Sequence, residues 1–356
     1  MPTATSSHIS LLTLSDSTRW QQLLGSVEHD FYHEDSYHAF CQQRGDGIAY
    51  MAVYEEGTRV LVWPYLLRPI EQLGAGGFHD VTSVYGYPGP LARRPSAPFV
   101  ERALASIKSL WRSQNAVTAF TRLHPLLGND TLLGAMNPLD PCGTTIAIDL
   151  IRPADEIWRG YRKTLRHEIS RARKLGVAVE VDLGLVHLGR FVDLYHETMT
   201  RNAAPASYFF DHAYFEGLFE AFPGRAHLFT AFHAGAVIAG AVFIETAGIV
   251  QYHLGAAESR SLPLAPTKLL LDEVRRWATA RGNKHFHLGG GRGGQQDSLF
   301  AFKAAFSKDR FPFFVWKDVL RPGVYQDLCG EHERIHRVEP QTSSYFPAYR
   351  AVEPAS

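Results

Sequence analysis

Cysteine is scarce in this chain of 356 residues: Cys41, Cys142 and Cys329 lie far apart and form no CxxC pair. That spacing suggests neither a disulfide framework nor a cysteine-ligated zinc site, and it fits a reducing compartment. Net charge is lacking as well, with 36 lysines and arginines against 36 aspartates and glutamates. A protein that coats nucleic acid is usually basic overall, so any contact with RNA here has to be local. Long apolar runs are also missing. The longest, residues 236–244, is too short to span a bilayer and reads as a buried strand. The first eight residues, MPTATSSH, carry neither a basic segment nor an apolar core, which predicts no secretory leader. A soluble, cytoplasmic protein is expected.

What is present is enough apolar material, 45% of residues, to bury two cores. In the first half, residue spacing predicts helices over 18–25 and 36–44, then strands over 48–55 and 58–67 joined by a hairpin turn. A loop rich in Gly and Pro (74–95), a helix (99–113) and a strand (116–122) follow. The second half begins near Pro153 with one basic helix, 156–175, stopped by Gly176, and a strand over 177–181. Helices over 191–201 and 214–221 precede three strands, 226–233, 236–245 and 248–255, linked by tight turns. An amphipathic helix (266–281), a strand (284–289), a short helix (299–306) and a last strand (311–319) complete the pattern. Helix, meander, long helix and strand thus occur twice, which indicates an α+β protein and not an alternating βαβ sheet. The expected domains are 1–152 and 153–320. The polar tail, 321–356, either wraps back over the first domain or stays mobile.

Two short motifs match famous patterns poorly. His332-Glu333-Arg334-Ile335-His336 fits HExxH, but it sits in the polar tail, with Pro340 close behind and no third histidine in the usual extension. Among 17 histidines a chance match is the better explanation, and no metal is expected. Gly289, Gly291 and Gly294 fit GxGxxG, yet the loop follows a meander and opens a short helix near a domain's end, where no dinucleotide fold would place it. All six residues 289–294 are Gly or Arg, which suits a loop whose backbone comes close to a substrate. No cofactor is implied.

Three further features admit two readings each. The basic run Arg159, Arg162, Lys163, Arg166, Arg171, Arg173 and Lys174 is either a solvated helix face or a stripe that holds phosphates. Lys303, in the otherwise apolar or small FAFKAAF segment, either lays its stem along the core or keeps a cation in a pocket for a developing oxyanion. His124, at a strand end before Pro125, is either structural or a base for an attacking ammonium group.

Taken in order, several segments resemble the Fem family, the aminoacyl-tRNA-dependent transferases that build peptidoglycan bridges and some peptide antibiotics. They are KTLRHEISRARKLGV (163–177), ETMTRN (197–202) followed by Tyr214-Phe215, QYHLGA (251–256), HLGG (287–290) and FKAAF (302–306). The first half matches through YGYPGP (85–90). The resemblance implies two tandem GNAT-like domains, each a mostly antiparallel mixed sheet flanked by helices. It assigns the family's motif lysine to Lys303 and an acceptor-phosphate contact to Arg201. Tyr85, Tyr252 and Phe302 fall within matching segments and are expected substrate contacts. His124 stands where relatives tend to carry an acidic residue before Pro. No lysine near 36–44 matches the diphosphate-binding lysine of cell-wall members.

The expected reaction is transfer of an amino acid from aminoacyl-tRNA to an amine of a small molecule or peptide. Lys303 would stabilise the oxyanion or the leaving ribose oxygen, and His124 or the substrate itself would take the proton. Arg162, Arg166 and Arg173 would hold the tRNA acceptor end. The alternative is an N-acyltransferase fed by acyl-CoA or a carrier-protein thioester. Such enzymes cradle a diphosphate on backbone N–H groups in a Gly-rich turn before the long helix. Here that turn reads ESRSLPLAP (258–266), with no glycine, two prolines and a carboxylate.

Overall fold

The computed structural model describes residues 7–71, 76–134, 138–336 and 345–351. The chain opens with strand β1 (Ser7–Leu12) and helices α1 (Ser17–Leu24) and α2 (Asp35–Gln43). Strands β2 (Ile48–Glu56) and β3 (Arg59–Pro69) form the expected hairpin, in register from Ile48↔Leu67 to Glu56↔Arg59. After β4 (His79–Thr82) and β5 (Leu91–Arg93) comes α3 (Ala97–Ser113). Its Phe99, Ala103, Leu104, Ile107 and Trp111 repeat at helical spacing and are all buried. Strand β6 (Ala116–Arg122) and the short α4 (Asn129–Gly134) follow, and then β7 (Asp140–Asp149). The chain divides into two compact units, Met1–Cys142 with Phe313–Ser356, and Gly143–Pro312.

The second unit corrects one expectation. The basic helix over 156–175 is two helices, α5 (Ala154–Gly160) and α6 (Lys163–Lys174). Gly160 is a poor helix former, and Tyr161 and Arg162 are extended, with ψ of 149° and 142°. The break buries the Tyr161 ring and lets the Arg162 N–H donate to the Ala305 carbonyl at 2.9 Å. Next come β8 (Ala178–Val181), α7 (Leu188–Arg201), α8 (His212–Ala221), β9 (Ala226–His233), β10 (Ala236–Thr246) and β11 (Ile249–Ala257). Helix α9 (Pro266–Ala280), β12 (His285–Gly289) and α10 (Ser298–Lys303) complete the unit. Its strand order is β7-β12-β11-β10-β9-β8, parallel only between β11 and β12, which α9 connects. A parallel pair needs such a crossover. Strand β10 is the chain's longest apolar run because helices cover both its faces: α9 and α7 each contact it.

The chain then returns to the first unit through β13 (Arg310–Val319) and α11 (Pro322–His336). The first unit's order is β1-β2-β3-β4-β6-β13, parallel only between β4 and β6, with α3 as the crossover. Its core includes Trp63, Trp111 and Trp316, whose ring centroids lie 5.0–6.2 Å apart. The polar tail is more ordered than its composition suggests. Val324, Tyr325 and Leu328 of α11 pack with Ile70, Val117 and Tyr349. Buried Asp80 accepts hydrogen bonds from Thr118, from the Tyr349 hydroxyl and, at 2.6 Å, from Arg350 Nε.

Candidate functional site

In the second unit, the parallel ladder of β11 and β12 runs only from Ile249↔His285 to Gln251↔His287. Strand β12 ends two residues later at Gly289, while β11 continues to Ala257 against β10. The β10–β11 register slips between Val242↔Leu254 and Phe243↔Tyr252, so His253 is an extra residue in its strand. Beyond Gln251 the ladder between the two parallel strands ends.

Lys303 lies in this region. Helix α10 is started by Asp297, whose side chain accepts from the Phe300 N–H at 2.9 Å and also holds Arg292 Nε at 3.1 Å. One and a half turns on, the Lys303 Nζ donates to the Gly290 carbonyl at 2.7 Å and sits 5.8 Å from the centre of the Tyr252 ring. The side chain is buried, and desolvation lowers its pKa to about 8 against a smaller opposite effect of Asp297. It is still mainly a cation at pH 7. The glycine-rich loop serves this arrangement with its own packing: a side chain at Gly291 would collide with the Gln295 carbonyl and the Asp297 carboxylate. Gly255 likewise leaves room for the Tyr252 ring, which crosses directly over it and stacks on Phe243 at 5.6 Å. Burial raises the Tyr252 hydroxyl to about 12, so it stays neutral. Phe302 is half-buried and meets Phe306 edge-on at 5.7 Å.

The other expected contacts fare differently. Arg201 closes the end of β11, with Nη1 on the Ala257 carbonyl (3.1 Å) and Ser259 Oγ (2.6 Å) and Nη2 on Thr198 Oγ1 (3.2 Å). Arg162 is exposed at the start of α6, and Arg166 is half-buried with no hydrogen-bond partner for its Nε among the described residues. Arg173 is tied up. It pairs with Asp272 at 2.6 Å and Glu273 at 2.8 Å, which leaves little of its charge for a phosphate.

His124 and Tyr85 belong to the first unit. His124 is buried, its Nε2 is 2.9 Å from Asp30 Oδ2, and its Nδ1 accepts from the Leu126 N–H at 3.1 Å. Each ring nitrogen thus has a partner within the first unit. In this arrangement His124 ties Asp30 to the turn at Leu126. Tyr85 is half-exposed, and its carbonyl accepts from the Tyr37 hydroxyl at 3.1 Å. As for the HExxH motif, His332 is buried in α11, while the His336 side chain and Pro340 lie outside the described residues. Among the described residues no three His, Cys, Asp or Glu side chains form a group that could hold a metal.

Sequence reasoning overlooked two side-chain pairs made by β11. The Tyr214 hydroxyl lies 3.0 Å from His253 Nε2, and Gln251 Oε1 lies 2.6 Å from His287 Nδ1. Strand alternation puts Gln251 and the inserted His253 near one another in sequence, but only tertiary packing supplies their partners. Burial lowers His253 to about 4 and keeps it neutral.

Residues 159–303 match a family model described as an acetyltransferase (GNAT) domain, a span that runs from the end of α5 to Lys303. The match makes this stretch similar to a GNAT acyltransferase domain, and it spans less than half of the chain. The chain's fold is Fem-type: a crystal structure of FemX is similar with a TM-score of 0.70 and 16% identity, over 90% of this chain and 99% of that one. The C-terminal domain of a putative lysylphosphatidylglycerol synthetase from Agrobacterium fabrum is similar at a TM-score of 0.52 and 16% identity, over 85% and 90%. L-PGS from Bacillus licheniformis is similar at 0.52 and 13%, over 84% and 90%. At such identities these likenesses concern the fold. No curated protein sequence gives a significant match. No helix among the described residues is long and apolar enough to cross a membrane.

Proposed function

We propose that this chain is an acyltransferase that takes an aminoacyl group from the ester of a charged tRNA and transfers it to an amine of a small molecule or peptide. The observation that carries the reading is the turn that opens α9. An acyl-CoA enzyme needs backbone donors there for a diphosphate. Pro263 and Pro266 have no N–H, Ala265 is left-handed at φ 53°, and the N–H groups of Ser261, Ala265 and Lys268 already donate within the turn. The Ser259 N–H donates to Glu197 at 2.7 Å. Local basic charge supports an RNA partner: Arg162 is exposed, and after burial its charge is the next cause that lowers the pKa of Arg310. Two guanidiniums close enough to repel one another suit a phosphate. Lys163, Arg171 and Lys174 are exposed on α6 as well.

In the proposed step the amine attacks the ester carbonyl, a C–N bond forms and the C–O bond to the ribose breaks. The proton of the attacking ammonium ends on the leaving ribose oxygen, the stronger base once it is released. The Lys303 cation supplies positive charge beside the developing oxyanion or that oxygen. Holding ester and amine together supplies much of the rate, because the ester is already activated. Arg162 and Arg166 hold the acceptor end, and Arg201 fixes the end of β11 and anchors the acceptor substrate. Tyr252 and Phe302 contact the substrates.

A second reading, transfer from acyl-CoA, is favoured by the acetyltransferase description of the family that matches residues 159–303. Binding of charged tRNA and of acetyl-CoA to the purified chain, side by side at low and moderate salt, separates the two. Salt-sensitive binding of charged tRNA without acetyl-CoA binding is expected. Tight acetyl-CoA binding without tRNA binding would replace the first reading by the second.

A further inference from the structure

The turn between β11 and α9 contains more than missing donors. Its first residue, Glu258, is buried, with only 9% of the side chain exposed, yet it faces two arginines. Arg190 Nη2, from α7, donates to Oε1 at 3.0 Å, and Arg260 Nη2 reaches the same oxygen at 3.0 Å. The Ser261 hydroxyl donates to Oε2 at 2.5 Å. Hydrogen bonds from Arg260 and then Ser261 hold the carboxyl at about 2, so it is charged at any working pH. Two guanidiniums and a hydroxyl converging on one carboxylate form a donor set that an external phosphate would use. Here a residue of the chain fills it.

We infer that Glu258 is a built-in anion that occupies a would-be phosphate site in the turn before α9 and excludes diphosphate-bearing acyl donors, making it a determinant of donor class. The inference rests on the aminoacyl-ester reading above, since an enzyme that used acyl-CoA would need this place empty. Its physical logic is competition. An incoming diphosphate would have to displace a tethered carboxylate that loses almost no entropy on binding, and would then leave that carboxylate buried beside it. Arg260 is 82% exposed and Arg190 39%, so the arginines are reachable once the carboxylate is neutralised. Glu197, on the Ser259 N–H, and Arg201, on the Ser259 hydroxyl, brace the next residue and keep the turn in place.

The test compares the full-length chain with Glu258→Gln and Glu258→Ala, using inorganic pyrophosphate and acetyl-CoA as probes in calorimetric titrations at low and moderate salt. Both variants should bind pyrophosphate at least tenfold more tightly than the unsubstituted chain, with the gain reduced by salt and lost on adding Arg190→Ala. A variant destabilised by its two unneutralised arginines should regain thermal stability with pyrophosphate and not with chloride of equal ionic strength. Folded variants that show neither gain overturn the inference. Tight acetyl-CoA binding by the unsubstituted chain would overturn both the inference and the aminoacyl reading. If instead the unsubstituted chain binds no charged tRNA while Glu258→Gln gains pyrophosphate, the donor reading falls and the built-in anion stands.

Discussion

At the scale of single residues, Lys303 and His124 show what a sequence can and cannot display. Lys303 reads as a lone polar residue in an apolar segment, and His124 as a lone histidine at a strand end. The structure gives Lys303 one carbonyl partner and an aromatic neighbour where the β11–β12 ladder ends. It gives His124 a partner at each ring nitrogen. Nothing in the segment RLHP foretells Asp30, which is 94 residues away. If Lys303 acts as a cation, Lys303→Ala should lower the transfer rate by about 10²- to 10³-fold, the usual loss for one oxyanion donor. The pH profile should also carry its signature. Its pKa is depressed to about 8, so the cation, and with it the rate, should decline as pH rises through that value. In Lys303→Arg, whose side chain stays charged, any remaining rate should lose this alkaline fall. An unchanged rate in Lys303→Ala would remove the residue from the mechanism.

At the scale of elements, the long periodic segments were legible: α3, α9, the β2–β3 hairpin and the β9–β10–β11 meander sit where apolar spacing put them. Short strands such as β4 and β5 were hidden in a Gly- and Pro-rich stretch, because three or four residues carry too little period to read. The break between α5 and α6 was hidden for another reason. The basic run is continuous in sequence, and the break is paid back by tertiary contacts: the Tyr161 hydroxyl donates to Asp272 at 3.2 Å, and Arg173 reaches the same side chain. Asp272 has no exposed surface and also binds Arg275 at 2.7 Å, whose side chain is 3% exposed. This carboxylate joins α6 to α9 and decides which basic residues remain free. Asp272→Ala would strand the buried Arg275 charge, at a cost of about 3–5 kcal/mol in denaturant unfolding. Arg173→Ala should weaken binding of charged tRNA less than Arg162→Ala does, because only Arg162 has charge to spare. The reverse order would return Arg173 to the RNA-binding stripe.

At the scale of the whole molecule, each unit repeats the same ladder pattern, with one parallel pair bridged by a long helix, and each holds histidines that burial makes harder to protonate. His38 in the first unit and His253 in the second are both lowered to about 4, chiefly by burial, and His33 is lowered well below its ordinary value. The sign follows from proton counting. Between about pH 6.5 and 4 the unfolded chain binds protons that the folded histidines refuse, so stability is intact above 6.5 and is lost as the pH falls. For one histidine with these values the loss at pH 5 is about 2 kcal/mol. Depressed carboxylates such as Asp272 and Glu258 add to the loss only at lower pH, as it drops through and below their unfolded values near 4. The urea midpoint should therefore fall between pH 7 and pH 5, before carboxylates titrate appreciably. His38→Phe keeps an aromatic ring beside Trp20, 5.4 Å away in the parent, and removes one titrating group. Its stability should fall less steeply over that interval, by up to about 1.4 kcal/mol per pH unit, whatever its stability at pH 7. An unchanged slope would mean that His38 does not bear the acid sensitivity of the first unit and would leave His33 as the group to replace next.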